Sequence, residues 1–280
     1  MDSRPIVFLD SGIGGIPYCA YFHARNPGET LVYVADRRNF PYGKRSRSGL
    51  AAILKRLVER IVKSADPKLV VLACNTGTVS ALGELRKTFP ILPFVGTVPA
   101  LKPALAGTKT GKVGLLGTER TIEAPYIPEL ASRFGRGCEI IRRACPELVE
   151  FVELRYALST RDEKEQIVRE YIGPFREAGA DALVLGCTHF LFLLEEFRRA
   201  AAPGIRIYDS VEGISRRVES LLDERDSALR AAPAAGGFAG GVNRFLITGK
   251  ALPETSWQGW AGRLGFSLAL LEETEKAEIR

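Results

Sequence analysis

The chain has 280 residues, 46% of them hydrophobic and 26% charged, with a net charge of +6. That length supports a full core in one large α/β domain or two modest ones, and no apolar run is long enough to span a bilayer, which excludes a membrane protein. The positive charge is scattered among acids, as in Glu84-Leu85-Arg86-Lys87 and Arg161-Asp162-Glu163-Lys164, with no basic stripe interleaved with aromatics, so no nucleic-acid contact is expected.

The first strand is expected over 5–9 and runs into Asp10-Ser11-Gly12-Ile13-Gly14-Gly15, a glycine-rich turn ahead of a helix. Such a turn can accept an anion on backbone N–H groups. Its spacing is not the dinucleotide fingerprint, so no nucleotide cofactor is expected. Asp10 has two readings: a carboxylate that orients a thiol or meets a substrate ammonium, or one bonded to turn amides. On the following helix Cys19 takes the packed face and His23 the surface. A strand over 30–35 leads through Asp36 to Pro41-Tyr42-Gly43, locally a turn. Ser46 then opens a helix in which Leu50, Ile53, Leu54, Leu57, Val58 and Ile61 recur at helical spacing. The absence of a basic segment with a longer apolar run ahead of the first strand points to the cytoplasm.

The strand over 68–73 runs into Ala73-Cys74-Asn75-Thr76. Asn75 and Thr76 are types that cap helices, and 77–88 is expected to be helical. Cys74 then lies at the carboxyl edge of a sheet and at the positive end of a helix, a setting that lowers a thiol's titration from about 8.5 and favours thiolate. Strands follow over 92–96, 112–116 and 138–142, with a domain boundary near Val98-Pro99. The helix over 163–178 carries Ile167, Val168, Tyr171, Ile172 and Phe175 on one face and closes at Gly179. The strand over 181–185 ends in Gly186-Cys187-Thr188-His189, repeating the placement of Cys74. Either thiol alone reads equally well as a small buried hydrophobe, but the matched pair favours two thiols facing one bound molecule. His189 either shares or polarises the Cys187 proton, or serves a structural hydrogen bond. A strand over 205–208 runs into Asp209-Ser210, an echo of Asp10-Ser11, and the Ala/Gly/Pro-rich run from Ala231 to Gly241 is expected to be a surface connector.

The βαβ rhythm and the echoes predict an α/β fold of two pseudo-symmetric domains, each a mainly parallel sheet flanked by helices, with the active site in the cleft between them. Residues 1–98 plus 209–280 form the first domain and 99–208 the second. The five cysteines are odd in number and widely spread, so neither disulfides nor a C-x-x-C metal site is indicated, and Cys19, Cys138 and Cys145 read as core. Two histidines cannot build the common zinc sites, so no metal is expected.

In their order, these motifs resemble the glutamate racemase family, within the aspartate/glutamate racemase superfamily. The resemblance spans nearly the whole chain: Asp10 to Gly15, Asp36 with Pro41-Tyr42-Gly43, Ala73 to Thr76, Gly114 to Thr118, Cys145-Pro146 through Glu153, Gly186 to His189, and Asp209-Ser210. It implies interconversion of L- and D-glutamate without pyridoxal phosphate or metal, supplying D-glutamate for peptidoglycan. Two cysteines would act from opposite faces of Cα, the first generally handling the D-enantiomer and the second the L. It also implies a site glutamate at Glu153, which local reading makes a solvated helix carboxylate. On this resemblance Asp10 assists Cys74, and Glu153 with His189 assists Cys187. Ser11, Asn75, Thr76 and Thr188 hold the α-carboxylate and ammonium, while Pro41, Tyr42 and Gly43 line the site near the side-chain carboxylate. The resemblance leaves a homodimer open, because dimers are common in the family, but the sequence shows no interface. The chain departs from the family pattern at Gly77, where Ala is common, and at Phe190-Leu191, which replace Tyr-Pro. Rival readings are a racemase of aspartate or another small acid, a catalytically weak regulator that binds glutamate, and a cysteine hydrolase, which would leave one matched thiol unexplained.

Overall fold

The computed structural model describes residues 2–135, 137–226, 242–249 and 255–271. Its strands are β1 (Ile6–Asp10), β2 (Leu31–Ala35), β3 (Leu69–Leu72), β4 (Phe94–Gly96), β5 (Lys112–Gly117), β6 (Glu139–Ala144), β7 (Ala182–Leu185), β8 (Arg206–Tyr208), β9 (Arg244–Ile247) and β10 (Ser267–Leu270). They form a six-stranded sheet of order β10-β9-β2-β1-β3-β4 and a four-stranded sheet of order β6-β5-β7-β8. Neighbouring strands pair in parallel throughout. Every residue of β1, β2 and β3 is buried, because helices cover both faces, and this is why these strands read as unbroken apolar runs. Val7 and Leu9 pack with Leu50, Leu54, Val58 and Ile61 of the helix Arg47–Ala65, while Ile6 and Phe8 face Cys19 and Phe22 of the helix Ile16–Arg25.

The two sheets share one wiring: β2-β1-β3-β4 in the first matches β6-β5-β7-β8 in the second. Leu9 pairs with Leu72 and Leu116 with Leu185, so counting two residues beyond each pair reaches Cys74 in one sheet and Cys187 in the other. The same count sets Ser11 against Thr118. The Asp-Ser echo does not belong to this symmetry. Asp10-Ser11 end the inner strand β1, whereas Asp209-Ser210 follow the edge strand β8, whose counterpart is β4.

The expected strands are present within a few residues of their bounds, but β9 and β10 were not foreseen. They extend the first sheet beyond β2, with Val32 opposite Arg244 and Phe245 opposite Leu268. Each is four residues long, and Ser267-Leu-Ala-Leu270 carries no β-branched residue to mark it. The connector expected over Ala231 to Gly241 lies outside the described residues. Helix starts follow local chemistry. The Ser46 hydroxyl accepts from Gly49 N–H (3.2 Å), and Thr160 and Glu163 form a capping box that starts the helix Arg161–Glu177 two residues earlier than apolar spacing suggests. Among the described residues no helix is long and apolar enough to cross a membrane.

Candidate active site

The carboxyl ends of strands from both sheets converge on one cavity of about 230 Å³. Ser11, Pro41, Tyr42, Gly43, Cys74, Asn75, Thr76, Cys187, Thr188 and His189 all line it. Asp10 and Glu153 do not reach the lining; they sit behind it, in contact with residues that do.

Cys74 follows the fully buried strand β3 and occupies the cap position of the helix Asn75–Thr88. Asn75 and Thr76 are already helical, and no side chain caps this end. They are therefore free for other work: Thr76 Oγ1 lies 2.9 Å from Thr118 Oγ1, and both amide atoms of the buried Asn75 lack a partner among the described residues. Burial pushes the Cys74 thiol well above its ordinary range and the nearby Asp10 carboxylate adds to this, while backbone N–H groups of Gly77 and Ser11 pull the other way. The thiolate expected from the helix end is thus overridden by desolvation.

Cys187 follows β7 but precedes a 3₁₀ turn, Thr188–Leu193, rather than an α-helix. Its Sγ lies 3.8 Å from His189 Nδ1, and His189 Nε2 lies 2.9 Å from Glu153 Oε2. The His189 and Glu153 side chains are only 3% and 5% exposed, so the solvated reading of Glu153 is corrected. Burial opposes charge on His189, yet hydrogen bonds to Cys187 and Glu153, with the field of Asp10, hold its pKa well above the ordinary value.

Asp10 accepts hydrogen bonds from Gly12 N–H (2.9 Å), the Ser11 hydroxyl (3.2 Å) and the Thr188 hydroxyl (3.1 Å). The turn-amide reading of Asp10 is the one observed, and its contact with the cavity runs through Ser11 and Thr188. Burial raises its pKa and the neighbouring His189 works against that rise. The glycine-rich turn is not an open anion cradle. Gly12, Ile13 and Gly15 N–H donate to Asp10, Glu153 and the Tyr33 hydroxyl. The glycines serve close approach instead: a Cβ on Gly12 would lie 2.4 Å from Glu153 Oε2, and one on Gly14 would lie 2.5 Å from His189 Nδ1.

Tyr42 is held from below, its hydroxyl donating to Asp36 Oδ2 (2.8 Å). Asp36 also accepts from Asn39 and from Thr248, just beyond β9, at 2.6 Å. The cavity further includes Lys44, Thr118, Glu119, Pro146, Val149 and Glu150, to which the sequence reading assigned no role. Thr118 matches Ser11 only once the strand registers of the two sheets are compared. Glu150 was recoverable as the residue one helical turn before Glu153. Cys19 and Cys145 are buried and Cys138 half-buried, all outside the lining, and all five cysteines are free. His23 is half-buried rather than superficial, edge-on to Phe266 at 5.5 Å.

Comparison with known proteins agrees with this arrangement. The family model described as Asp/Glu/Hydantoin racemase matches residues 20–216. A glutamate racemase of Roseiflexus sp. (strain RS-1) is 40% identical over 223 residues, covering 80% of this chain and 81% of its own. One from Sphingopyxis alaskensis is 41% identical over 222 residues, covering 78% and 82%. Among solved structures, Escherichia coli glutamate racemase in complex with L-glutamate and the activator UDP-MurNAc-ala superposes with a TM-score of 0.83 at 31% identity, covering 95% of this chain and 97% of that one. With its paired parallel sheets and a cavity at their carboxyl ends, the chain belongs to the glutamate racemases, within the Asp/Glu/Hydantoin racemase family.

Proposed function

We propose that this protein interconverts L- and D-glutamate by proton transfer at Cα, with Cys74 and Cys187 as the two bases and neither pyridoxal phosphate nor metal. The observation that carries the reading is the pair of thiols at register-equivalent ends of β3 and β7, both lining one small cavity. One cysteine, as thiolate, takes the Cα proton. The other, as thiol, delivers its own proton to the opposite face of the planar carbanion, and the roles reverse for the return reaction. The two thiols have unequal surroundings. Cys187 adjoins His189, whose contacts with Cys187 and Glu153 favour its protonated form, while burial raises the Cys74 thiol. By family resemblance Cys187 is the base toward L-glutamate and Cys74 the base toward D-glutamate.

The Cα proton is far less acidic than a thiol, so the site must stabilise the developing charge and exclude water. Asn75 offers the α-carboxylate an amide with no partner among the described residues, with Ser11, Thr76 and Thr188 beside it. Tyr42 and Gly43 border the position of the side-chain carboxylate. The same reading places the protein in the cytoplasm, consistent with five free cysteines, and makes its product a precursor of peptidoglycan. It divides the chain into residues 1–98 plus 209–280 and residues 99–208. In support, the helix Leu101–Gly107 packs on β7 and β8, while the helix Val211–Asp226 packs on the helix Ile16–Arg25 and β4.

The test is racemisation of L-glutamate in deuterated water without added cofactor, with aspartate assayed alongside. At early conversion deuterium should enter the D-product while recovered L-glutamate stays protiated, and Cys74→Ser or Cys187→Ser should each abolish turnover. Label appearing in recovered substrate, full turnover by either variant, or a preference for aspartate would overturn the proposal.

A further inference from the structure

The mouth of the cavity carries a charge pair that the proton chemistry does not use. Lys44 Nζ lies 3.0 Å from Glu150 Oε1, with the two side chains 69% and 50% exposed, and both residues line the cavity that holds Cys74 and Cys187. They come from opposite sides. Lys44 ends the short turn Tyr42–Lys44 beyond β2, in the chain segment that presents Tyr42 and Gly43. Glu150 sits on the helix Pro146–Leu154 beyond β6, one turn ahead of Glu153, the partner of His189. The pair therefore ties the wall around Tyr42 to the helix that supports Cys187 through Glu153 and His189.

Two other contacts join the same two sides. The Arg120 guanidinium donates to the Arg45 carbonyl, and Thr76 meets Thr118 at 2.9 Å. These are a hydrogen bond to backbone and a hydroxyl pair; Lys44–Glu150 adds opposite charges at the solvent edge. A half-exposed ion pair is weak and screened by salt. Weakness suits this position, since the rim must part for each substrate and each product, and a strong bond there would trap the product.

We propose that Lys44 and Glu150 form a latch across the mouth, a positioning pair that favours the closed cavity around a bound amino acid without touching the reacting atoms. The proposal rests on the racemase reading for the identity of the ligand. The alternative role for Lys44 is to attract a dicarboxylate on its own, in which case Glu150 opposes binding.

Calorimetric titration of D-glutamate separates the two, using Lys44→Ala, Glu150→Ala, the double variant, and the charge exchange Lys44→Glu/Glu150→Lys. The latch requires each single neutralisation to weaken binding roughly two- to fivefold, the ordinary range for an exposed pair. It further requires the double variant to be no weaker than the weaker single, and the exchange to recover most of the loss. Thermal midpoints measured in parallel show that each variant is folded. Tighter binding by Glu150→Ala, additive losses, or an exchange variant as weak as the singles would overturn the latch. Binding by the unaltered protein without racemisation would remove the catalytic reading and leave this test standing; no binding of either enantiomer would overturn both.

Discussion

His189 is buried at the cavity wall, and burial alone keeps an imidazole neutral. Its contacts with Cys187 and Glu153 reverse that preference and raise its pKa well above the ordinary value, which makes its proton part of folding stability. The sign follows directly. A group that binds its proton more tightly when folded contributes fully below its unfolded pKa, about 6.5 for histidine, and loses that contribution as pH rises through the folded value. His189→Gln should therefore be less stable than the unaltered protein by about 2 kcal/mol at about pH 6, the scale of a hydrogen bond to a charged group, with the deficit shrinking toward about pH 9. Urea unfolding at both pH values measures it. A deficit that grows with pH would mean that the folded state holds His189 neutral, and the pairing described for Cys187 would need revision.

At the scale of elements, the strand absent from the sequence reading does visible work. Thr248, just past β9, accepts from Arg38 N–H (3.1 Å) and donates to Asp36, and Asp36 in turn holds Tyr42. Thr248→Val keeps the shape but removes both bonds, so it should cost about 1–3 kcal/mol in chemical unfolding. It should also raise KM for glutamate more than it lowers kcat, because the loosened residue lines the cavity wall. Lower stability with unaltered KM would separate β9 from the site. This element also shows what a sequence can convey. Cys74 and Cys187 were legible because a buried parallel strand is one apolar run that breaks off at a polar step, and both cysteines stand at that step. Glu153 needed the family resemblance, and Thr118 and Glu150 received no role, because their relevance depends on the opposite half of the molecule. On a lone helix Glu153 is an ordinary surface carboxylate; Ile13 N–H and His189, from distant segments, bury it. The glycines of the first turn were recognised as a turn, but their purpose, admitting Glu153 and His189, lies in a contact 140 or more residues away.

For the whole molecule, the shared cavity makes a quantitative demand. Its lining draws Ser11, Tyr42 and Asn75 from the side of the six-stranded sheet, and Thr118, Val149 and Thr188 from the side of the four-stranded sheet. A ligand seated there touches both sides, so its binding energy is spread over both rather than confined to one. Glutamate at about 100 times its Kd should stabilise the folded protein by about 2.7 kcal/mol, which for a chain of this size raises the thermal midpoint by roughly 4–5 °C. The more telling measurement is hydrogen exchange. Amides at the start of the helix Asn75–Thr88 and in the turn Thr188–Leu193 should slow together over the same range of glutamate concentration, because the closed state orders the two ends of the cavity jointly. Protection confined to the Cys74 side, with the Cys187 turn exchanging as before, would mean that the ligand occupies one wall only. Two-base inversion would then lack the geometry it requires, whatever the wiring of the two sheets.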